Sequence, residues 1–277
     1  MNLKKMTGMA LAALVLVSGV FAGGNRDKPQ QPSTRADGIT TITPGVLTIG
    51  IEIGYPPMEY FDMDGTTPIG FDVEMANALG AKLGFTVKFV DTAWDGIFAG
   101  VNTGKYDLII SAVTITDERL RAFNFTKSYI ANTQALVLSK NSGITAKNPE
   151  ELGGLDVAYQ AETASDVYMT TLAGQGLEFT PREYDKVLNC FDELKLGRVS
   201  AVVCDSVVAF YYAAQTNSPF DIVWQGEADE KLGICFKKGN DPLTAAVDKA
   251  LDELFADGTM VTISKKIFGR DLVTSVR

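Results

Sequence analysis

The chain has 277 residues, 46% hydrophobic and 21% charged, enough apolar content for one large folded body or two modest ones. Its 34 acidic against 25 basic residues give a net charge of −9, which argues against nucleic acid as a partner. Histidine is absent, so Ser-His-Asp and Cys-His nucleophile systems and every His-containing metal site are excluded.

Lys4 and Lys5 open the chain, an apolar run from Met9 to Val17 follows, and small residues lead to Ala22. Charge, short apolar core and small-residue site, in that order, read as a secretory signal peptide over residues 1–22. The apolar stretch is too short to span a bilayer at roughly 20 residues, although an uncleaved anchor is the competing reading. Gly24 stands where a lipoprotein signal needs cysteine, so acylation has no thiol to use. Residues 23–44 are rich in Gly, Pro, Gln, Ser and Thr and read as a flexible tether. The expected location is periplasmic or extracytoplasmic, with membrane tethering open.

From Val46 onward short β-rich runs, 46–51, 86–90 and 108–111, alternate with helical stretches. Phe71, Met75, Ala78, Leu79 and Leu83 share one helical face. Strand-like 155–159 and 201–204, with helical 165–172 and 184–196, repeat the grammar. Strands spaced by helices imply crossover connections and mainly parallel sheets flanked by helices. The passages 135–138 and 226–238 read as two crossings between the sets. The expected domains are therefore lobe 1 over 45–134 plus 230–277, and lobe 2 over 135–229. A final helix is expected with Asp241 as N-cap, Pro242 at its first position and Gly258 as its stop. Cys190, Cys204 and Cys235 are odd in number and form no C-x-x-C pair, so buried, chemically quiet thiols are expected.

Several motifs then fall in register. Gly70-Phe71-Asp72-Val73-Glu74-Met75-Ala76 resembles the signature of the family 3 bacterial solute-binding proteins, the amino-acid receptors of ABC importers. The run from Ile49 to Glu59 resembles that family's first strand and ligand loop, and Trp94-Asp95-Gly96-Ile97 its second. The run from Ser111 to Arg119 is similar to its arginine motif, and that from Gly197 to Asp205 to its far-lobe aspartate strand. The resemblance spans roughly residues 46–270. It implies an α/β, two-lobed periplasmic-binding-protein fold of type II with two hinge crossings.

The resemblance also implies roles. Arg119, with a forked donor pair suited to a carboxylate, would take the ligand α-carboxylate, helped by Thr114 and with Ala112 in the same turn. Asp205 would take the α-ammonium; an N-cap for the helix through Val207–Phe210 is the competing reading. Thr163 and Ala164, at a helix start, would supply the second lobe's anion-binding groups. Glu162 stands there in place of the family's usual glycine, and a carboxylate beside an anion site must point away or serve another group. Glu52, Tyr55 and Trp94 would form a cage for a cationic side chain, although core packing explains either ring alone. No catalytic residue, cofactor or metal is implied. The expected function is a monomeric receptor binding a polar, cationic L-amino acid between the lobes and passing it to an ABC permease in the inner membrane. Cystine and glutamine remain alternative ligands. A cyclohexadienyl or arogenate dehydratase-like enzyme and a sensory surface receptor remain alternative functions.

Overall fold

The computed structural model describes Ser33–Thr34, residues 38–228 and residues 230–276. The expected signal peptide lies outside the described residues, as does most of the expected tether. What is described of that tether is tied to the body from residue 38. Ile39 and Thr41 are buried, Thr40–Thr41 pairs with Ser33–Thr34, and the Ile42 N–H donates to Asp107 Oδ1 at 2.7 Å. Asp107 Oδ2 accepts from the Thr48 N–H at 2.8 Å, so one carboxylate clamps this segment to the first strand.

Two five-stranded sheets form the two lobes. The first runs in the order Thr86–Asp91, Val46–Ile51, Leu108–Ile109, Cys235–Lys237, Phe123–Phe125. The second runs Thr180–Tyr184, Asp156–Gln160, Ala201–Asp205, Gln134–Ser139, Phe220–Gln225. In each sheet only the fourth strand is antiparallel to its neighbours. That strand is the first sheet strand reached after the chain passes between the lobes, so the reversal records the crossing. The two crossings, Ile130–Asn132 and Glu230–Leu232, pair antiparallel with each other and form the double-stranded hinge.

The central strands are apolar at nearly every position because both of their faces are covered. In the second sheet Leu136, Leu138, Val157, Tyr159, Ala201 and Val203 join one core cluster. Their alternates Ala135, Val137, Ala158, Val202 and Cys204 join another, beside Val187, Phe191 and Leu194 of the helix Val187–Lys195. In the first sheet Leu108 and Ile110 face the helix Phe71–Leu83, whose Phe71, Met75 and Leu79 are fully buried, while Ile109 faces the opposite cluster with Ile97 and Val101. Period two in the strands and 3.6 in the helices thus meet at one interface. Cys190, Cys204 and Cys235 are buried free thiols, and burial pushes Cys190 and Cys235 up to about 12. No described helix is long and apolar enough to cross a membrane.

Four expectations change. The crossing expected at 135–138 falls at Ile130–Asn132 instead, and Gln134–Ser139 is a strand of the second sheet. The helix Asp241–Ala256 has Asn240, not Asp241, at its N-cap position, and no side chain bonds there. Gly258 is left-handed as a stop residue should be, but a further helix, Thr259–Phe268, starts immediately after it and buries Met260 and Ile263. The helical stretch expected from 184 begins at Val187, because Tyr184 closes an edge strand, Thr180–Tyr184. That strand is mostly exposed and carries no apolar alternation to announce it.

Gly70 fixes the entry to the first helix. Its φ is +128°, and a Cβ there would lie 2.3 Å from the Met58 carbonyl oxygen. The Phe71 and Asp72 N–H groups donate to the Pro57 and Met58 carbonyls at 3.0 and 2.9 Å, so the approach cannot relax without losing them. Gly70→Ala is expected to cost about 2–3 kcal/mol in a urea melt from strain and overlap together. An unchanged midpoint would show that this entry is not closely packed.

Candidate functional site

Loops at the carboxyl ends of the strands carry the polar groups of the cleft, as open α/β sheets dispose them. Glu52 and Tyr55 follow Val46–Ile51, Trp94 opens the helix after Thr86–Asp91, and Ala112, Thr114 and Arg119 follow Leu108–Ile109. From the other lobe, Thr163 and Ala164 follow Asp156–Gln160, and Asp205 ends Ala201–Asp205. All nine line one cavity between the lobes. Three residues not expected from the sequence complete it: Glu59, Ser111 and Gln160.

Arg119 is the cavity's only arginine or lysine. Its Nη1 donates to the Thr114 carbonyl at 3.0 Å, and its guanidinium carbon lies 5.4 Å from the Trp94 ring centroid and 5.0 Å from that of Phe98. Among the described residues no carboxylate forms an ion pair with it. Desolvation holds its pKa below the ordinary arginine value, so its positive charge is incompletely compensated. Trp94 therefore stacks on Arg119 rather than standing free, and its indole N–H donates to the Glu162 carbonyl across the cleft at 2.9 Å.

Asp205 sits at the N-cap position of the helix Ser206–Ala213, yet its side chain makes no capping bond. Instead Oδ2 accepts from the Tyr55 hydroxyl at 2.7 Å and Oδ1 from Gln134 Nε2 at 3.1 Å. Burial pushes its carboxyl up, and these donors act against that shift. Gln134 also donates to Glu230 at 2.9 Å, which links the aspartate directly to the hinge.

Glu52 is 3% exposed. Both of its oxygens accept from Gln160 Nε2 of the facing lobe, at 2.8 and 3.0 Å, and burial raises its pKa to about 7. Thr163 caps the helix Ala164–Gly174, accepting from the Asp166 N–H at 3.5 Å and donating to the Gln160 carbonyl at 2.7 Å. Glu162, just before it, has φ +60°, the left-handed conformation that glycine adopts most easily. Its side chain is exposed, so the carboxylate stays away from the cavity while its carbonyl serves Trp94. Glu59, Ser111 and Gln160 escaped the sequence reading because their neighbours give no periodic signal. The only hint was that Glu59 and Ser111 lie inside the motifs and Gln160 beside one. No described cluster of His, Cys, Asp and Glu could hold a metal ion.

Comparison with known proteins is consistent with this geometry. The profile of the bacterial extracellular solute-binding proteins, family 3, matches residues 47–270. The L-cystine-binding protein TcyJ of Escherichia coli (strain K12) is 33% identical over 82% of this chain and 84% of its own length. The L-arginine-binding protein of Pseudomonas aeruginosa is 30% identical over 83% of this chain and 90% of its own. An ancestral arginine-binding protein bound to arginine superposes with a TM-score of 0.78 at 36% identity, covering 81% of this chain and 99% of that one. With these two lobes, this hinge and this match, the chain belongs to the bacterial extracellular solute-binding proteins of family 3.

Proposed function

We propose that this protein is an extracytoplasmic receptor that binds an L-amino acid, polar and cationic in its side chain, between its lobes and delivers it to the permease of an ABC importer. The observation that carries the reading is a guanidinium, Arg119, with no ion-pair partner among the described residues, facing the same cavity as a buried carboxylate, Asp205, from opposite lobes. An α-amino acid presents a carboxylate and an ammonium a short distance apart, so one ligand engages both and favours closure. The hydroxyl of Thr114 and the helix start at Thr163 and Ala164 add donors on the carboxylate side. In this reading residues 1–22 direct export.

Glu52 supports the cationic side chain. It is a third carboxylate of the cavity, beyond Glu59 and Asp205; Lys186 acts on it through space but bonds the Ile53 carbonyl, and among the described residues no ion pair reaches it. An arginine or lysine side chain would supply that charge. Cystine is the second reading, favoured by similarity to a protein named for binding it. Its distal ammonium would take the same carboxylate. The dehydratase alternative would need Glu52 or Glu162 as its acid; Glu162 is exposed, and both oxygens of Glu52 are engaged by Gln160.

A thermal-shift screen of the purified protein against the common amino acids, ornithine and cystine tests the proposal. A saturating ligand stabilises by mass action, by roughly 2.7 kcal/mol at a hundredfold excess over its dissociation constant. Stabilisation by arginine, lysine or ornithine is expected. Stabilisation by cystine alone selects the second reading, and no shift with any amino acid overturns both.

Two further outcomes follow for the ligand so found. Arg119→Lys keeps the charge but loses the forked donor pair, and calorimetry should show binding weakened by about 2 kcal/mol, roughly thirtyfold. Near-native affinity would remove Arg119 from the site. Below a pKa of about 7 Glu52 gains a proton and loses its negative charge. Affinity for a cationic ligand should therefore fall as pH drops from 8 to 6, by roughly tenfold, with protons released on binding near neutrality. Glu52→Gln should flatten that dependence; a profile unchanged by the substitution would assign it to another group.

A further inference from the structure

Beneath the cleft, Glu59 and Asp72 meet in the interior of the first lobe. Glu59 is 1% exposed and Asp72 not at all. Glu59 Oε1 accepts from the Ser111 hydroxyl at 2.7 Å. Asp72 Oδ2 accepts from the Ala112 N–H at 2.7 Å and from the Tyr129 hydroxyl at 3.1 Å. The remaining oxygens, Glu59 Oε2 and Asp72 Oδ1, are buried and receive no hydrogen from any other group. The two carboxyls are neighbours, close enough for each to act on the other's proton.

Two ionised carboxylates accept only, so this contact would leave two orphan oxygens and two like charges away from water. Among the described residues no nearby positive charge relieves that. Glu52 and Asp205 contribute further negative charge, Tyr129 faces the pair, Tyr55 lies near Glu59, and no described lysine or arginine pairs with either carboxyl. A single hydrogen between Glu59 Oε2 and Asp72 Oδ1 satisfies both oxygens and leaves one negative charge, which the Ser111, Ala112 and Tyr129 donors solvate.

We propose that Glu59 and Asp72 share one proton and that the protonated pair positions the Ser111–Ala112 corner of the ligand cavity. Ala112 needs such support, because its φ of +46° is unfavourable for a residue with a Cβ. Ser111 passes the constraint on, donating to Glu59 while accepting the Glu52 N–H at 3.0 Å. Three segments of the chain thus meet on one proton: residues 52–59, the first turn of Phe71–Leu83, and the turn leading to Arg119. Burial raises both carboxyls above their ordinary range. The folded chain therefore keeps a proton that the unfolded chain has released, and stability falls as pH climbs from the ordinary carboxyl range toward the pair's raised value.

The proposal stands independently of which ligand is bound, and its test uses none. Infrared spectra of the Glu52→Gln protein, free of the neighbouring carboxyl, should show a protonated carboxylic-acid band at pH 7. That band should vanish in E52Q/E59Q, whose amide donates to Asp72 in place of the shared proton. Hydrogen exchange at the Ala112 amide should stay protected in E52Q/E59Q and quicken at least tenfold in E52Q/E59A. No acid band at pH 7, a band unmoved by Glu59→Gln, or Ala112 protection unchanged by Glu59→Ala would each overturn the proposal. Should the alanine variant not fold, raising the pH of the E52Q protein replaces it. Band and Ala112 protection must then disappear together, and protection outlasting the band would contradict the positioning role.

Discussion

A guanidinium partly stripped of water requires counter-charge, and most of the cleft can be understood from how Arg119 is left without it. The two aromatic rings and the Thr114 carbonyl hold the group in place without forming an ion pair. Aromatic faces and a carbonyl fix orientation, but they neutralise much less charge than a carboxylate does. The fold could have supplied a carboxylate from its own chain, since Glu52, Glu59 and Asp205 line the same cavity. Each of those is engaged by other donors: Gln160, Ser111, and Tyr55 with Gln134. On the proposed function, the positive charge is kept for something that enters.

The architecture explains why an entering group would also move the lobes. Each lobe presents the carboxyl ends of its parallel strands to the shared cleft, and each is joined to the other through the same antiparallel pair of crossings. Direct contacts already span the gap: Tyr55 to Asp205, Glu52 to Gln160, Trp94 to the Glu162 carbonyl, and Lys186 Nζ to the Ile53 carbonyl at 3.0 Å. Asp205 reaches the hinge through Gln134 and Glu230, so on the proposed function a change at its carboxylate would be felt where the lobes join.

Much of this was legible in the sequence, for identifiable reasons. Continuous apolar strands and the periodic helix Phe71–Leu83 follow from burial on both faces, and burial leaves a pattern. The expected residues that share the cavity were legible through the resemblance of their motifs, and Arg119 and Asp205 also because each comes at or after the end of a strand of the sheet. Less legible were groups whose importance comes from a distant partner. Asp72 looks like an ordinary first-turn acid until Ala112, Tyr129 and Glu59 surround it, and Gln160 becomes informative only when Glu52 arrives from 108 residues away. Glu162 shows the opposite case. It stood out as a carboxylate near an anion site, and the left-handed backbone with an outward side chain removes the conflict. Thr259–Phe268 was hidden by Gly258, which signals a stop and is also a hinge into the next helix.

The central claim is that a zwitterion bridges Arg119 and Asp205, and a crystal structure of the protein with its amino-acid ligand tests it most directly. The account requires the ligand carboxylate to lie within hydrogen-bond distance of the Arg119 guanidinium and its ammonium to lie against Asp205. A ligand seated in the cleft with its carboxylate on other donors, and Arg119 still facing only Trp94, Phe98 and Thr114, would contradict it.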